Sequence, residues 1–256
     1  EIDAAQGLKY GPLDHDLLLS YTENSDGQIL EEGITDSGSM SSFIAAGTSY
    51  ATRGVPMIPF DTFYSMFGCQ RTGDLIWQAA DIRARGFMMG ATAGRTTLLG
   101  EGLQHQDGHS LVLASTVPAV QAFDPAFAYE VGAIVRAGID QMYGPDSPES
   151  ERDVIYYLTL YNENYPMPAL PSDPALAEEF SRGAVRGMYR FAPAPEGHAR
   201  LATILFSGVA HAAARRAVDE LAEHYGVGAE LWSVSNYKRL REEAMSVERF
   251  NRLHPS

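Results

Sequence analysis

Residues 31–38 read EEGITDSG and place Asp36 beside Gly38 at the predicted start of a helix. Asp and Ser at a helix start accept hydrogen bonds from the unpaired N–H groups of the first turn, and a carboxylate there suits the helix dipole. The octet taken alone favours the helix cap.

A second group of reactive side chains lies in GATAGRTTLLGEGLQHQDGHS (90–110), which contains Glu101, His105 and His109. A phosphate-binding loop needs four residues between its glycines and then Lys, whereas GATAGRT has three and Arg. The two histidines are four residues apart, as metal ligands on one helix face would be. Gly108 and the surrounding loop residues disfavour a helix there, so we expect no metal site and a hydrogen-bonding role for the histidines.

Two further segments are rich in aromatic or polar residues, namely IPFDTFYSMFGCQR (58–71) and LYNENYPMPALP (160–171). Aromatic side chains at the spacing found in the first segment belong to a core more often than to a cofactor site. The Asn-Glu-Asn run in the second segment either lines a site or turns the chain.

Short apolar runs alternate with longer amphipathic ones, which is typical of strands joined by crossover helices. The pattern predicts strands at 55–67, 87–94, 119–125 and 154–161. It predicts helices at 38–54, 72–86 and 127–144. Because the last strand is almost continuously apolar, we expect a parallel sheet that is buried on both faces.

A seam rich in Pro and Gly at residues 192–199 interrupts this pattern. Beyond it the sequence predicts one βαβ unit, with a strand at 200–209, a helix at 210–228 stopped by Gly226, and a strand at 229–237. So short a unit buries too little surface to be stable alone. We therefore expect it to pack on the first domain, on a partner or on further chain.

Composition excludes several classes of partner. The net charge is −14 with only 19 Lys and Arg, so no basic stripe is available for nucleic acid or for an anionic membrane. No apolar run reaches the length of a spanning helix, and the first residues do not resemble a signal peptide. The single Cys69 excludes an internal disulfide. We expect a soluble, cytoplasmic protein.

Five strings resemble one known family in order and in spacing: EEGITDSG, PFDTFYSMFGCQRTGDLIW, GRTTLLGEGLQHQDGHS, FDPAFAYEV and YNENYPMPA. They are similar to the homodimeric-type pyruvate dehydrogenases, the thiamine-diphosphate-dependent decarboxylating components. The resemblance implies an α/β fold with a parallel-sheet, pyrimidine-type thiamine-diphosphate-binding domain at 1–191, which includes an N-terminal extension. It also implies a partial transketolase C-terminal-like α/β domain at 199–256.

The resemblance assigns residues to the pyrimidine end of the cofactor. Asp36 stands where the family has a glutamate that hydrogen-bonds the pyrimidine ring nitrogen, and it is shorter by one methylene, about 1.5 Å. We expect a closer backbone or a bridging water to make up this difference. Phe67 corresponds to the aromatic residue that stacks on the pyrimidine, Tyr64 to a neighbouring site tyrosine, and Ile34 to an apolar contact with the bent cofactor.

For the substrate, the resemblance assigns Glu101 and His105 as active-site residues that act on the acyl-bearing adduct. A histidine can donate a hydrogen bond to the adduct oxygen on which negative charge develops. Asp61 and Cys69 depart from the family, because many relatives carry aromatic residues there. We expect this difference to alter the pocket wall.

The implied cofactors are thiamine diphosphate and Mg²⁺. The sequence contains no GDG motif followed by a distant Asn pair, so we expect a partner subunit to bind the diphosphate and the metal, in an α2β2 heterotetramer. A processed or truncated chain is the competing explanation. A lipoyl acyltransferase or a lipoyl carrier domain is the expected acceptor.

The leading functional hypothesis is a subunit of a split pyruvate-type dehydrogenase that passes a two-carbon unit to a lipoyl group. One alternative is transketolase-like transfer from a ketose phosphate, for which Arg53, Arg71 and Arg95 are the candidate phosphate contacts. The other is a non-catalytic scaffold subunit, in which the aspartate at position 36 reflects relaxed constraint.

Overall fold

The computed structural model describes residues 2–3, 7–8, 27–94 and 102–255. The chain forms two compact units, 1–35 and 36–256. In the first unit, the short strands β1 (Ile2–Asp3) and β2 (Gly7–Leu8) pair antiparallel. The elements described below belong to the second unit.

A four-stranded parallel sheet forms the centre of the second unit, in the order β3-β4-β6-β5. Its strands are β3 (Phe60–Tyr64), β4 (Gly86–Ala91), β5 (Val120–Phe123) and β6 (Ile155–Thr159). All residues of the interior strand β6 are buried, as expected for a parallel strand with both faces covered. The prediction of a parallel α/β sheet is confirmed.

Helices cover both faces of this sheet. They are α1 (Asp36–Gly47), α2 (Ser49–Thr52), α3 (Ser65–Arg71), α4 (Gly73–Asp81), α5 (Ser110–Thr116) and α6 (Ala128–Tyr143). One apolar core includes Phe43 and Ile76, and a second includes Phe123 and Ile134. The prediction for α6 is confirmed, whereas the predicted helix 38–54 is interrupted at Thr48 and the predicted helix 72–86 ends five residues early.

The predicted strand 55–67 is wrong at both ends. It begins only at Phe60, and after Tyr64 the chain turns into α3, so Phe67 lies on a helix. Tyr64 pairs with Ala91, the last residue of β4, and this pairing decides where the strand stops. The helix then folds back closely, since a Cβ on Gly68 would lie 1.9 Å from the Phe63 ring.

A second sheet of three strands has the order β7-β9-β8. Its strands are β7 (Met188–Ala192), β8 (Arg200–Phe206) and β9 (Val227–Val234), and α8 (His211–Tyr225) connects the last two, which are parallel. The predicted βαβ unit is confirmed, including its stop at Gly226, where φ is 62°. The antiparallel β7 begins before the seam at 192–199, and the domain bounds 1–191 and 199–256 stay a prediction.

Two helices flank this sheet without having been predicted: α7 (Pro174–Arg186) and α9 (Tyr237–Leu253). The Asp173 carboxylate caps the start of α7, which Pro174 opens. The predicted strand 229–237 is wrong at its end, because β9 stops at Val234 and Asn236 caps α9.

The second sheet packs on the first domain of the same chain, one of the three arrangements expected from its small size. Phe127, just before α6, contacts Phe206 of β8 in a shared apolar cluster with Leu231 of β9. The Lys238 amine of α9 donates hydrogen bonds of 2.8 and 2.6 Å to the carbonyls of Val117 and Val120. Both apolar and polar contacts therefore join the two sheets.

The helices of the described ranges have at most 17 residues. The longest, α9, has 17 residues with the sequence YKRLREEAMSVERFNRL, which is rich in charge. Across 27–94 and 102–255, no helix is both long and apolar enough to cross a membrane. The cytoplasmic location stays a prediction.

Candidate active site

One continuous segment, β3 followed by α3, provides the aromatic side chains of the candidate site. Side chains of β3 alternate between exposed and buried, which leaves Tyr64 half exposed at the end of the strand. Phe67 follows three residues later, in the first turn of α3. β3 ends at the carboxyl edge of the parallel sheet. Open parallel sheets bind ligands at this edge, so the two rings are well placed to form a site.

His105 lies against both rings. It is the last residue of a 3-10 turn, Leu103–His105, which begins after Gly102, where φ is 78°. Its imidazole is edge-on to Tyr64 with ring centroids 5.1 Å apart, and edge-on to Phe67 at 5.2 Å. The three rings therefore form one cluster at the carboxyl edge of the sheet.

Arg71 connects Asp36 to this cluster. Its Nη1 donates a hydrogen bond of 2.9 Å to Asp36 Oδ2, and its guanidinium carbon lies 4.5 Å from the centroid of the Phe67 ring. The side chain of Asp36 is 18% exposed and that of Arg71 is 53% exposed. Asp36 opens α1, where its charge suits the helix dipole, while its carboxylate binds a side chain 35 residues away.

The loop after His105 is held by its own hydrogen bonds. Asp107 caps α5, because its Oδ1 accepts bonds of 3.0 Å from the backbone N–H groups of His109 and Ser110. His109 Nε2 lies 2.9 Å from Gln70 Nε2 of α3. As predicted, the two histidines do not share a helix, since Gly108 separates the 3-10 turn from α5.

The structure brings together Asp36, Tyr64, Phe67 and His105. Ile34 belongs to the first unit of the chain, and its side chain is 94% exposed. Glu101 lies outside the described residues, as does Arg95. Sequence reasoning named Arg71 only as a candidate phosphate contact and missed its bond to Asp36. No local pattern indicates this bond, because Asp36 and Arg71 are 35 positions apart.

The two departures from the family, Asp61 and Cys69, are both buried. Asp61 points inward from β3, and the hydroxyl of Ser39 in α1 donates a hydrogen bond to its carboxylate. Burial raises the pKa of the Cys69 thiol to about 12, so this thiol remains protonated and unreactive at neutral pH. Both residues are buried, and their effect on the pocket wall stays a prediction.

A cavity of about 340 Å³ lies next to the loop that follows His105, between the carboxyl ends of the first sheet and the residues after β8. His109, Asp124, Thr159 and Tyr161 contribute to its wall. The hydroxyls of Thr159 and Tyr161 both donate to Asp124 Oδ1, the first over 2.7 Å. Burial raises the pKa of Asp124 above its ordinary value.

A family model described as the pyruvate dehydrogenase E1 component middle domain matches residues 1–168. The chain belongs to the pyruvate dehydrogenase E1 family. The E1 component of Mycolicibacterium smegmatis is 52% identical over 249 residues, which are 97% of this chain and 26% of that protein. The E1 component of Escherichia coli K12 is 46% identical over 254 residues, 99% of this chain and 27% of that protein. The chain thus spans about a quarter of the length of these relatives.

Solved structures show that this E1 family member has a transketolase-like fold. Transketolase from Leishmania mexicana superposes with a TM-score of 0.61 at 16% identity, over 82% of this chain and 27% of that one. A split gene transketolase, described as an inactive beta4 tetramer, has a TM-score of 0.56 at 20% identity, over 84% of this chain and 60% of that one.

The site of this E1 chain fits one end of the cofactor that its family implies. The carboxylate of Asp36, the rings of Tyr64 and Phe67, and the imidazole of His105 combine polar groups with apolar surface, as a pyrimidine ring requires. Arg71 already covers part of the Phe67 ring. Among the described residues, no group of three His, Cys, Asp or Glu side chains is arranged to hold a metal ion.

Proposed function

We propose that this chain forms the pyrimidine-binding part of a thiamine-diphosphate-dependent pyruvate dehydrogenase that passes a two-carbon unit to a lipoyl group. The observation that carries the proposal is the contact series from Asp36 through Arg71 and Phe67 to His105, in a chain of this family. These side chains come from α1, α3 and the 3-10 turn, three elements that meet only in the folded chain.

Each residue has a distinct role in the proposal. Asp36 would hydrogen-bond the pyrimidine ring nitrogen when the cofactor is bound, and Arg71 orients the Asp36 carboxylate. Tyr64 and Phe67 supply apolar surface that excludes water from the ring. His105 donates to the oxygen of the substrate, where negative charge develops. The cofactor, when bound, supplies the electron sink for decarboxylation of a 2-oxoacid.

Another domain must complete the site. We propose that it holds the diphosphate and Mg²⁺, which prefers oxygen ligands and phosphate. It belongs to a partner subunit in an α2β2 assembly or to further sequence in the same polypeptide, and the length of the curated relatives supports the second arrangement. A lipoyl carrier domain of an acyltransferase is the proposed acceptor.

Two of the three candidate phosphate contacts are poorly placed for a ketose phosphate, which supports pyruvate as the proposed donor, while the third, Arg95, lies outside the described residues. A phosphate-bearing donor needs free basic side chains, and Arg71 is already bound to Asp36. Arg53 is exposed at the end of α2, on a different element from the aromatic cluster. The names of the curated relatives support the same choice.

Replacing Asp36 with alanine in the complete enzyme tests the proposal. We expect the rate of pyruvate decarboxylation to fall by roughly 10² to 10⁴-fold, the usual contribution of acid–base catalysis. Asp74→Ala is a matched control, because Asp74 is an exposed aspartate in the first turn of α4. If Asp36→Ala were as active as Asp74→Ala, the chain would be a scaffold rather than a catalytic part.

Native mass spectrometry of the protein from its own source tests how the site is completed. We expect masses that account for thiamine diphosphate and Mg²⁺. A second polypeptide in the same complex would support the α2β2 arrangement, whereas one longer chain would support a single-chain enzyme. A protein that never retains the cofactor would contradict the proposal.

A further inference from the structure

The first turn of α1 is attached to the rest of the domain at two points. Arg71 of α3 binds Asp36 at 2.9 Å, and the hydroxyl of Ser39 donates a hydrogen bond to Oδ1 of Asp61 in β3. Residues three apart on a helix lie on the same face. Asp36 and Ser39 therefore present one face of α1 to the segment formed by β3 and α3.

Asp61 is an unusual anchor, because it occupies a position of the sheet that normally carries an apolar side chain. Along β3 the buried positions are Asp61, 6% exposed, and Phe63, also 6% exposed. A buried carboxylate is costly unless it is hydrogen-bonded. The bond from Ser39 contributes to this compensation, so displacement of the first turn of α1 would weaken the stabilisation of this buried carboxyl group.

Both attachments lead back to the same continuous segment. Residues 60–71 contain Asp61, then Tyr64, and then Phe67 and Arg71 on α3. The distance between α1 and this segment therefore sets the distance between Asp36 and the aromatic cluster. An aspartate has a single methylene, so a change of rotamer cannot make up for a shift of its helix as it could for a longer side chain.

We propose that Ser39 and Asp61 are positioning residues, which hold the first turn of α1 so that the short side chain of Asp36 reaches the pyrimidine of the cofactor. This inference rests on the proposed role of Asp36 and adds the pair that sets its reach. Neither Ser39 nor Asp61 touches the cofactor in this proposal, and their effect passes through Asp36.

Kinetics of single variants in the complete enzyme test the inference. We expect Ser39→Ala and Asp61→Asn to lower kcat by about tenfold, because misplacement by about 1 Å is costly in catalysis. The KM for pyruvate should change less than twofold. Ser39→Thr keeps the hydroxyl and should retain most of the activity. Ser41→Ala is the matched control, since this serine is exposed and its hydroxyl donates to the Ser37 carbonyl of its own helix turn.

A longer carboxylate provides a readout that a merely structural role would not change. Asp36→Glu alone should be slower than the parent enzyme, because the added methylene extends the carboxylate too far while the hydrogen bond between Ser39 and Asp61 holds α1 in place. In the Ser39→Ala background the same change should restore part of the lost kcat. Measured melting temperatures identify any variant that loses activity by unfolding, and in that case the Ser39→Thr comparison decides.

Three results would overturn the inference. The first is a kcat of Ser39→Ala equal to that of Ser41→Ala, and the second is a kcat of Ser39→Thr as low as that of Ser39→Ala. The third is that adding Asp36→Glu leaves the kcat of Ser39→Ala unchanged. The proposed function fails separately, if Asp36→Ala itself retains full activity. An inactive Asp36→Ala together with a fully active Ser39→Ala would leave the function standing and remove only the positioning role.

Discussion

Two carboxylates, Asp36 and Glu130, lie near the starts of their helices but have different surroundings. Each is in the first turn of its helix, α1 or α6. Glu130 is completely buried and accepts four hydrogen bonds: from the backbone N–H groups of Ala126 and Phe127, and from the hydroxyls of Tyr189 and Ser233. Asp36 remains partly exposed, and among the described residues its partner is the half-exposed Arg71.

The difference indicates what each carboxylate can do. The donors around Glu130 come from the start of α6 and from β7 and β9, so this side chain joins the two sheets and has little capacity left for a ligand. Asp36 has one flexible partner and an accessible edge, so it can accept a further hydrogen bond. A carboxylate saturated with donors is structural, whereas one with spare acceptor capacity can bind.

The largest effect expected from this comparison is on stability. Glu130→Ala removes the acceptor of four buried donors. The Tyr189 hydroxyl keeps the Tyr129 hydroxyl, 2.6 Å away, as a partner, so three donors are left unsatisfied at a cost of about 1 to 3 kcal/mol each. We expect the melting temperature of the complete enzyme to fall by roughly 10 °C, while Asp36→Ala should leave it nearly unchanged. Glu130→Gln, which keeps one acceptor, should lie between the two. Calorimetry that ranked Asp36→Ala as the more damaging change would reverse the comparison.

A smaller effect is expected at Arg71, and mainly on the rate. Arg71→Met removes both the ion pair with Asp36 and the contact with the Phe67 ring, so we expect kcat to fall by about tenfold. Stability should change by less than about 1 kcal/mol, because the pair is partly exposed and Arg71 remains half in solvent. Arg53→Met is the control and should match the parent enzyme in pyruvate turnover. Equal rates for the two variants would show that Arg71 does not orient Asp36.

The smallest effect is expected at Asp124. In its number of hydrogen bonds this carboxylate is intermediate between Asp36 and Glu130, because one of its oxygens accepts from two hydroxyls. Burial raises its pKa, so the native state keeps the proton to a higher pH than the unfolded chain does. Its contribution to the free energy of unfolding therefore falls as pH rises from the ordinary aspartate range through the native pKa.

Asp124→Asn keeps the acceptor oxygen and removes this titration. The variant should melt at a higher temperature than the parent enzyme at pH 7, and the difference should shrink as the pH approaches about 4. Melting curves at several pH values provide the measurement. A difference that stays constant with pH would mean that Asp124 does not titrate in this range.

Much of the local structure could be predicted because its signals are local. The apolar run at 154–161 became the buried β6, and Gly226 stops α8 as expected. The helices α7 and α9 were missed although their capping residues, Asp173 and Asn236, are visible in the sequence. Asp36, Tyr64, Phe67 and His105 were named from the family resemblance, and their individual roles stay predictions.

The alternation of strands and helices, the parallel class of the first sheet and the family can all be read from the sequence, since they depend on periodicity and on short strings of residues. The tertiary structure decided that Arg71 binds Asp36, that Ser39 binds Asp61, and that β7 joins β9. Each of these contacts links residues more than 20 positions apart. Such contacts leave no local pattern, because they arise only when separate elements pack around a shared core.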